Sequence, residues 1–195
     1  MASLNVHLAI GKLYLEKNKN ISNEEEYYKG IIAPDLVEDK NKSHYTEYLD
    51  KSNLKFYLTN RINLLKYLKE NNIDTDYDLG IYIHLVTDYL FFTNFFDKSY
   101  IESVDIHKFN NDLYHSYDNI DSYLVDKYKL NFPELDEIMT EVKEKCRKKK
   151  NTKYENGKDI LPFDKIDSFI TYVSNINMLE YKNKIINNNK NILPD

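Results

Sequence analysis

Hydrophobic residues recur along this chain at the three- and four-residue spacing of helices, and the strict alternation typical of strands is nearly missing. Helical spacing covers 4–18, a short segment opening at 22–25, 54–72, 78–96, 100–128, 134–149 and 165–187. The pattern predicts an all-α fold, a single-domain bundle over residues 1–190 with six or seven helices. The polar end of the sequence, 188–195, is predicted to be a frayed tail.

Polar residues at the predicted helix ends support these boundaries. Ser3 is suited to cap the first helix, and the Ser-x-x-Glu sequence at 22–25 reads as a capping box that opens the second. The second helix is expected to end before Pro34, because the residue that precedes a proline disfavours helical backbone. Asp164 is the predicted cap of the last helix.

Composition and charge limit the possible partners. The chain has 195 residues, 42% hydrophobic and 30% charged, with a net charge of −5. A chain of this charge has no overall field that attracts a polyanion, so general nucleic-acid binding is not expected. The basic cluster at 146–153 ends an acidic-to-basic helix and is interpreted as a complement to the helix dipole, with a phosphate-binding patch as the alternative.

The location of the protein is predicted from its cysteine content and its apolar runs. The single cysteine, Cys146, cannot form an internal disulfide, which indicates a reducing compartment. The first residues show no secretory signal pattern, and no apolar run reaches the length of a transmembrane helix. We therefore expect a soluble, cytoplasmic protein.

Two polar residues interrupt the most apolar predicted helix, 78–96. His84 and Asp88 are four residues apart, so their side chains lie on the same helix face. A buried carboxylate is costly unless a cation or several hydrogen bonds compensate it. Either the two residues pair with each other or with neighbouring helices, or they bind one metal ion together. The motif alone is short enough to occur by chance, so further ligands are needed to decide.

Three other residues extend this pair to a possible metal site. Asp35 follows a proline that stiffens its backbone, His44 lies in the loop beyond it, and His7 lies on the first helix. With His84 and Asp88 they form a mixed nitrogen and oxygen set suited to one or two ions of zinc or a similar divalent metal. Taken singly, a residue such as His7 is more often a core histidine, and one such as Asp35 is more often a cap or turn residue.

The order of these residues resembles that of the bacterial zinc-dependent phospholipase C family, which is related to the S1/P1 nucleases. A histidine on the first helix is followed by G-x-x-A-P-D at 30–35, K-x-x-S-H at 40–44 and H-x3-D at 84–88. The resemblance covers residues 7–96, about half of the chain. It implies an all-α, phospholipase C/P1 nuclease-like fold with a cluster of up to three zinc ions that hydrolyses phosphoester bonds.

The resemblance also implies roles for the five residues. Asp35, His44, His84 and Asp88 would surround one metal ion, and His7 would bind a second, with Asp88 as the bridging carboxylate. The secreted family members ligate a metal with a processed N-terminal tryptophan, and they hold a third ion with further histidines and a later His-x3-Glu motif. This chain has no tryptophan, and its later histidines, His107 and His115, have no Glu four residues later. Candidate substitutes at a spacing of three are Asp112, His115 and Asp118, whose alternative is a solvated helix face.

These observations predict a hydrolase of a small phosphoester or phospholipid-like substrate. A metal-activated water would be the nucleophile, with Asp35 orienting that water and Asp88 bridging the metal ions. Phosphate charge would be balanced mainly by metal, with help from Lys40, Lys42 or Arg61. The alternative is a non-catalytic helical protein with a structural or vestigial metal site.

Overall fold

Helical spacing in the sequence corresponds to helices in the structure, a computed structural model that describes residues 2–46, 62–149 and 157–187. Within these ranges the chain forms ten α-helices and no strand, so the predicted all-α class is confirmed. A π-helical turn, Phe91–Phe95, continues the fifth helix, and a 3-10 turn, Pro133–Leu135, precedes the eighth. The helices are α1 (Leu4–Lys17), α2 (Glu24–Leu36), α3 (Lys40–Ser43), α4 (Ile62–Glu70), α5 (Asp76–Leu90), α6 (Lys98–Ser103), α7 (Ile106–Tyr128), α8 (Asp136–Lys149), α9 (Phe163–Ser174) and α10 (Met178–Asn187).

The described helices outnumber the six or seven predicted because two long segments are interrupted. The predicted helix 100–128 breaks before Asp105, whose side chain accepts hydrogen bonds from two backbone amides and caps α7. The predicted helix 165–187 breaks after Ser174, and α10 begins at Met178. The short helix α3 was not predicted. Of the predicted helix 54–72, the part up to residue 61 lies outside the described residues, as do the tail 188–195 and 150–156.

Helix caps confirm one sequence prediction and correct two others. Ser3 caps α1 and accepts a hydrogen bond from the amide of Val6. The predicted capping box at 22–25 is wrong: the N-cap of α2 is Asn23, and Ser22 instead donates through its amide and hydroxyl to Asp76, at 3.0 and 2.9 Å. Because Ser22 is bonded to the carboxylate of Asp76, it does not cap α2. Asp164 is not a cap either, because α9 begins one residue before it.

Pro34 does not end α2, contrary to the prediction. The helix continues to Leu36 with the proline in its last turn. A proline in a helix removes one hydrogen bond to the carbonyl four residues earlier, and close to the helix end few further bonds depend on that turn. As a consequence Asp35 lies within the last turn of α2 rather than at a bend.

Helix α5 lies at the centre of the described core. All nine residues from Tyr82 to Leu90 are buried, as the apolar sequence of this helix predicts. Beyond Leu90, the rings of Phe91 and Phe95 pack against Phe169 of α9 and fix the end of the helix. In the described part of the chain, no helix combines the length and the apolar character that crossing a bilayer requires.

Helices α2 and α5 touch backbone to backbone at two glycines. A Cβ atom on Gly30 would lie 2.1 Å from the carbonyl oxygen of Tyr77, and one on Gly80 would lie 2.2 Å from the carbonyl oxygen of Tyr27. Real Cβ atoms do not approach backbone atoms this closely, so any larger residue would force the helices apart. The close approach brings the backbone of α2 beside the polar residues of α5.

Candidate metal centre

The five residues proposed as ligands meet inside the helical core. His7 lies on α1, Asp35 in the last turn of α2, His44 directly after α3, and His84 and Asp88 on α5. Each of the five residues is buried, with relative exposures from 0% for His7 and His84 to 6% for Asp35 and Asp88. Residues scattered over 80 positions of sequence therefore share one site.

Three ligand atoms in this site form a small, nearly regular triangle. Nε2 of His44 lies 3.1 Å from Nε2 of His84, and Oδ2 of Asp88 lies 3.4 and 3.5 Å from these two nitrogens. With metal–ligand bonds of 2.0–2.2 Å, the edge of a coordination tetrahedron is about 3.3–3.6 Å. The three atoms thus lie close to the positions of three ligands of one tetrahedral ion.

Hydrogen bonds on the far side of both rings fix which nitrogen carries the proton. Nδ1 of His84 donates to the carbonyl of Ile31 at 2.8 Å. Nδ1 of His44 lies 3.0 Å from the carbonyl of Lys40 and 2.9 Å from the hydroxyl of Ser43, whose own proton is donated to the carbonyl of Pro34 at 2.8 Å. A carbonyl oxygen only accepts, so in the neutral rings the proton is on Nδ1 and a lone pair on Nε2. Two lone pairs then face each other across 3.1 Å, an arrangement that a shared proton or a bound cation relieves.

His7 completes the ring cluster without hydrogen-bond partners of its own. Its imidazole stacks on that of His84, with ring centroids 3.8 Å apart and planes 5° from parallel. Its Nε2 lies 3.3 Å from Oδ1 of Asp88. Among the described residues, however, neither nitrogen of His7 forms a hydrogen bond, and Oδ2 of Asp88 accepts none. Buried polar atoms without partners are uncommon and indicate an ion or a water molecule at the site.

The second oxygen of Asp88 is held by the backbone. The amide of Ala2 donates to Oδ1 of Asp88 at 2.6 Å and links the start of α1 to α5. Since one oxygen is held in this way, the other keeps a fixed direction toward the two imidazoles. The carboxylate is therefore oriented before any ligand binds.

Asp35 has a different environment. The ammonium group of Lys40 contacts Oδ1 of Asp35 and also donates to its backbone carbonyl at 2.6 Å. The ligand atoms of Asp35, His7 and His84 lie within 4.8 Å of one another, as do those of His44, His84 and Asp88. The site therefore contains two overlapping groups of three that share His84. The family resemblance places Asp35 around the same ion as His44 and Asp88, whereas the geometry groups it with His7.

The electrostatics favour neutral imidazoles at His7 and His44. Burial lowers the pKa of His44 to about 4, and burial followed by the charge of His84 lowers the pKa of His7. For His84, burial also favours the neutral ring, but the contact with the Asp88 carboxylate at 3.5 Å and its negative charge outweigh burial and raise the pKa.

Both carboxyl groups are held in the ionised form. Burial alone would raise the pKa of Asp88, but the N-terminal ammonium group and His7 outweigh it and hold that pKa well below its usual range. At Asp35, burial is outweighed by His84 and Lys40, so its pKa is also lowered. Neutral imidazoles and ionised carboxylates are the forms that bind metals.

The three weaker candidates on α7 do not join this site. Asp112 is buried, and its carboxylate accepts from the amide of Lys158 and from the ammonium of Lys108, both at 2.9 Å. It therefore attaches the segment after residue 157 to α7. His115 is partly buried beside Gly157, and Asp118 is exposed. Asp112 therefore has a structural role, and the position of Asp118 agrees with a solvated helix face.

The cations expected to balance phosphate charge have other positions. Lys40 is bound to Asp35, Lys42 is exposed on α3, and Arg61 lies outside the described residues. Sequence reasoning also missed the two glycines at the contact between α2 and α5. A usable signal existed, because Gly80 precedes His84 by one helical turn in an otherwise bulky segment.

Comparisons with known proteins add no family to these observations. The chain matches no protein-family model, no curated protein and no solved structure. The likeness to the zinc-dependent phospholipases C therefore stays a prediction, which rests on the quoted motifs. The case for a metal centre rests on the geometry and the protonation of the five buried residues.

Proposed function

We propose that this protein is a metal-dependent hydrolase of phosphoester bonds, with zinc or a similar divalent ion held by His44, His84 and Asp88. The observation that carries the proposal is the triangle of two imidazole nitrogens and one carboxylate oxygen, with edges of 3.1–3.5 Å. Both nitrogens carry lone pairs, and the oxygen has no hydrogen-bond partner among the described residues. Catalytic zinc sites typically have three protein ligands of these kinds and one open position.

The residues around the triangle have distinct tasks in such a reaction. A divalent ion at this position supplies a water molecule that ionises near neutral pH and a positive charge for a phosphoryl oxygen. Asp88 is oriented by the amide of Ala2, and His84 by the carbonyl of Ile31, so neither ligand has to reorganise. Asp35, ionised and held at one oxygen by Lys40, would orient the attacking water with its other oxygen.

The substrate class comes from the family resemblance and from the charge of the site. The resemblance favours a small phosphoester or phospholipid-like substrate, and an anionic phosphate suits a centre that carries a divalent ion. We further propose a cytoplasmic location, which the single cysteine of the chain supports.

A second candidate, a non-catalytic protein with a structural or vestigial metal site, is favoured by one observation. None of the five residues exceeds 6% exposure, and structural metal sites are typically closed to solvent. Both candidates require bound metal, and they differ in whether substrate reaches the ion.

Metal analysis followed by an activity screen separates the two candidates. Purified protein is analysed for bound metal, loaded with zinc or manganese, and tested on generic phosphomonoesters and phosphodiesters. We expect metal-dependent hydrolysis that Asp88→Asn abolishes and that Asp126→Asn, an exposed aspartate on α7, leaves unchanged. Bound metal without turnover of any substrate would favour the structural candidate. Protein that binds neither metal under any loading condition would overturn both.

A further inference from the structure

We propose that Lys40 is the second cation of this centre and that its ammonium group, by neutralising Asp35, restricts the centre to one metal ion on His44, His84 and Asp88. The inference rests on the metal-binding part of the proposed function. It departs from the family resemblance, which implies several ions and makes Asp35 a ligand. Lys40 is a positioning residue in this proposal, because it acts through Asp35 and His44.

The contact between Lys40 and Asp35 is a largely buried ion pair. The side chains of the two residues are 19% and 7% exposed, and the ammonium group bonds to both the carboxylate and the backbone carbonyl of Asp35. A pair of this kind is strongly destabilised when one partner is removed, because the remaining charge is left uncompensated. The ammonium group bound at Oδ1 therefore neutralises the charge of Asp35, as a bound metal ion would.

The backbone of Lys40 also contacts His44, one of the three proposed metal ligands. Its carbonyl lies 3.0 Å from Nδ1 of His44 and, with the hydroxyl oxygen of Ser43 at 2.9 Å, favours a proton on that nitrogen. The residue is fixed at the first turn of α3, where Asp39 caps the helix. One residue thus neutralises Asp35 with its side chain and prepares His44 for metal with its backbone.

The charges around the centre favour one ion over two. With the imidazoles in their metal-binding neutral form, the side chains of the two carboxylates and of Lys40 together carry a single negative charge, and the N-terminal ammonium group that also acts on Asp88 adds positive charge to this sum. One divalent ion converts the side-chain charge to a single positive charge, which suits an anionic substrate. A second divalent ion would leave three positive charges in a buried site, where uncompensated charge is costly. The lysine therefore disfavours a second ion.

A second ion would have a place if the ammonium group were absent. His7 and Asp35 would supply two ligands, and both nitrogens of His7 lack hydrogen-bond partners among the described residues. Oδ1 of Asp88, 3.3 Å from Nε2 of His7, would supply a third, because the one lone pair of the neutral His84 ring belongs to the first ion. Loss of Lys40 would leave Asp35 as an unpaired buried carboxylate, which a metal ion would then neutralise.

The test is the number of zinc ions per chain, measured by elemental analysis after loading and removal of excess metal. We expect one ion in the wild-type protein, two in Lys40→Met, and one again in Lys40→Arg, which keeps the positive charge. Lys42→Met is the matched control, since this exposed lysine is on the same short helix, and it should keep one ion. Two ions in the wild type, or one ion in Lys40→Met, would overturn the inference.

A second variant keeps the inference testable if Lys40→Met does not fold. Asp35→Asn removes the charge that Lys40 neutralises while preserving the shape of the side chain. We expect it to keep one zinc ion with a Kd within about tenfold of the wild type, whereas Asp88→Asn weakens zinc binding by more than about 100-fold. Loss of zinc from Asp35→Asn would overturn the inference and leave the hydrolase proposal standing. Wild-type protein that binds no zinc would overturn both.

Discussion

His84 and Ile31, 53 residues apart in the sequence, are joined by a hydrogen bond of 2.8 Å between a ring nitrogen and a backbone carbonyl. This bond determines that Nε2 of the imidazole points toward His44 and Asp88. It requires that the backbones of α2 and α5 come close together, which the glycines at positions 30 and 80 allow. The chemistry of the site therefore depends on residues that do not line it.

Gly80→Ala should destabilise the protein by about 2–3 kcal/mol, because a Cβ atom at this position meets backbone atoms that cannot move aside. Gly11→Ala on α1 is the matched control. Its added Cβ would meet the terminal methyl group of the Ile31 side chain rather than backbone atoms, and alanine is the better helix former. Urea denaturation measures both changes. Equal destabilisation by the two substitutions would contradict the importance of the backbone contact.

His84→Ala should lower the affinity for zinc by more than about 100-fold, because it removes the residue shared by both ligand groups. His107→Ala should leave zinc binding unchanged, since His107 is exposed at the start of α7. Zinc titration with a competing chelator measures both affinities. A full loss of zinc from His107→Ala would show that the wrong histidines have been assigned.

The all-α class and the burial of α5 were predictable because both depend on local hydrophobic spacing. The predicted convergence of His7, His44 and His84 is present in the structure, although a sequence has no direct record of distance. The cost of burying polar residues in an apolar helix pointed to His84 and Asp88, whereas His7 and His44 were added because a metal needs further ligands and because their order resembles the phospholipase C family. Whether metal binds there stays a prediction.

The remaining features depend on contacts between distant segments. Ser22 was predicted to be a cap, but its amide and hydroxyl donate to Asp76, which is 54 positions away in the sequence. Lys40 appeared to be a phosphate-binding cation, but its partner Asp35 became adjacent only through the turn between α2 and α3. Spacing rules describe one helix at a time and do not determine which carboxylate a flexible lysine will reach.

Asp112→Ala should destabilise the protein by about 1–3 kcal/mol and leave zinc binding unchanged. The carboxylate accepts from the amide of Lys158 and the ammonium of Lys108, and its removal leaves a buried amide without a partner. Asp126→Ala, an exposed aspartate on the same helix, is the control and should change stability little. Urea denaturation and zinc titration are performed on both variants. Loss of zinc from Asp112→Ala would restore this residue as a candidate ligand.

The metal-free protein should lose stability as the pH falls from 7 to 5. Burial lowers the pKa of His44 to about 4. Between pH 7 and pH 5 this imidazole therefore becomes protonated in the unfolded chain but stays neutral in the folded protein. Stability contributed by such a group is present above the ordinary histidine pKa and is lost as the pH falls below it. His7 contributes in the same direction, and His84, whose pKa is raised, opposes it. The contribution of His44 is about 2 kcal/mol over this range.

Variants of two histidines isolate this contribution from the titration of the rest of the chain. His44→Gln cannot take up the proton, so its stability in a chelator-containing buffer should fall less between pH 7 and pH 5 than that of the wild type. His107→Gln removes an exposed histidine and should keep the full wild-type fall. Urea midpoints at both pH values give the comparison. If His44→Gln loses as much stability as the wild type, the imidazole is not held neutral by burial, and its readiness to bind metal at neutral pH has to be reassessed.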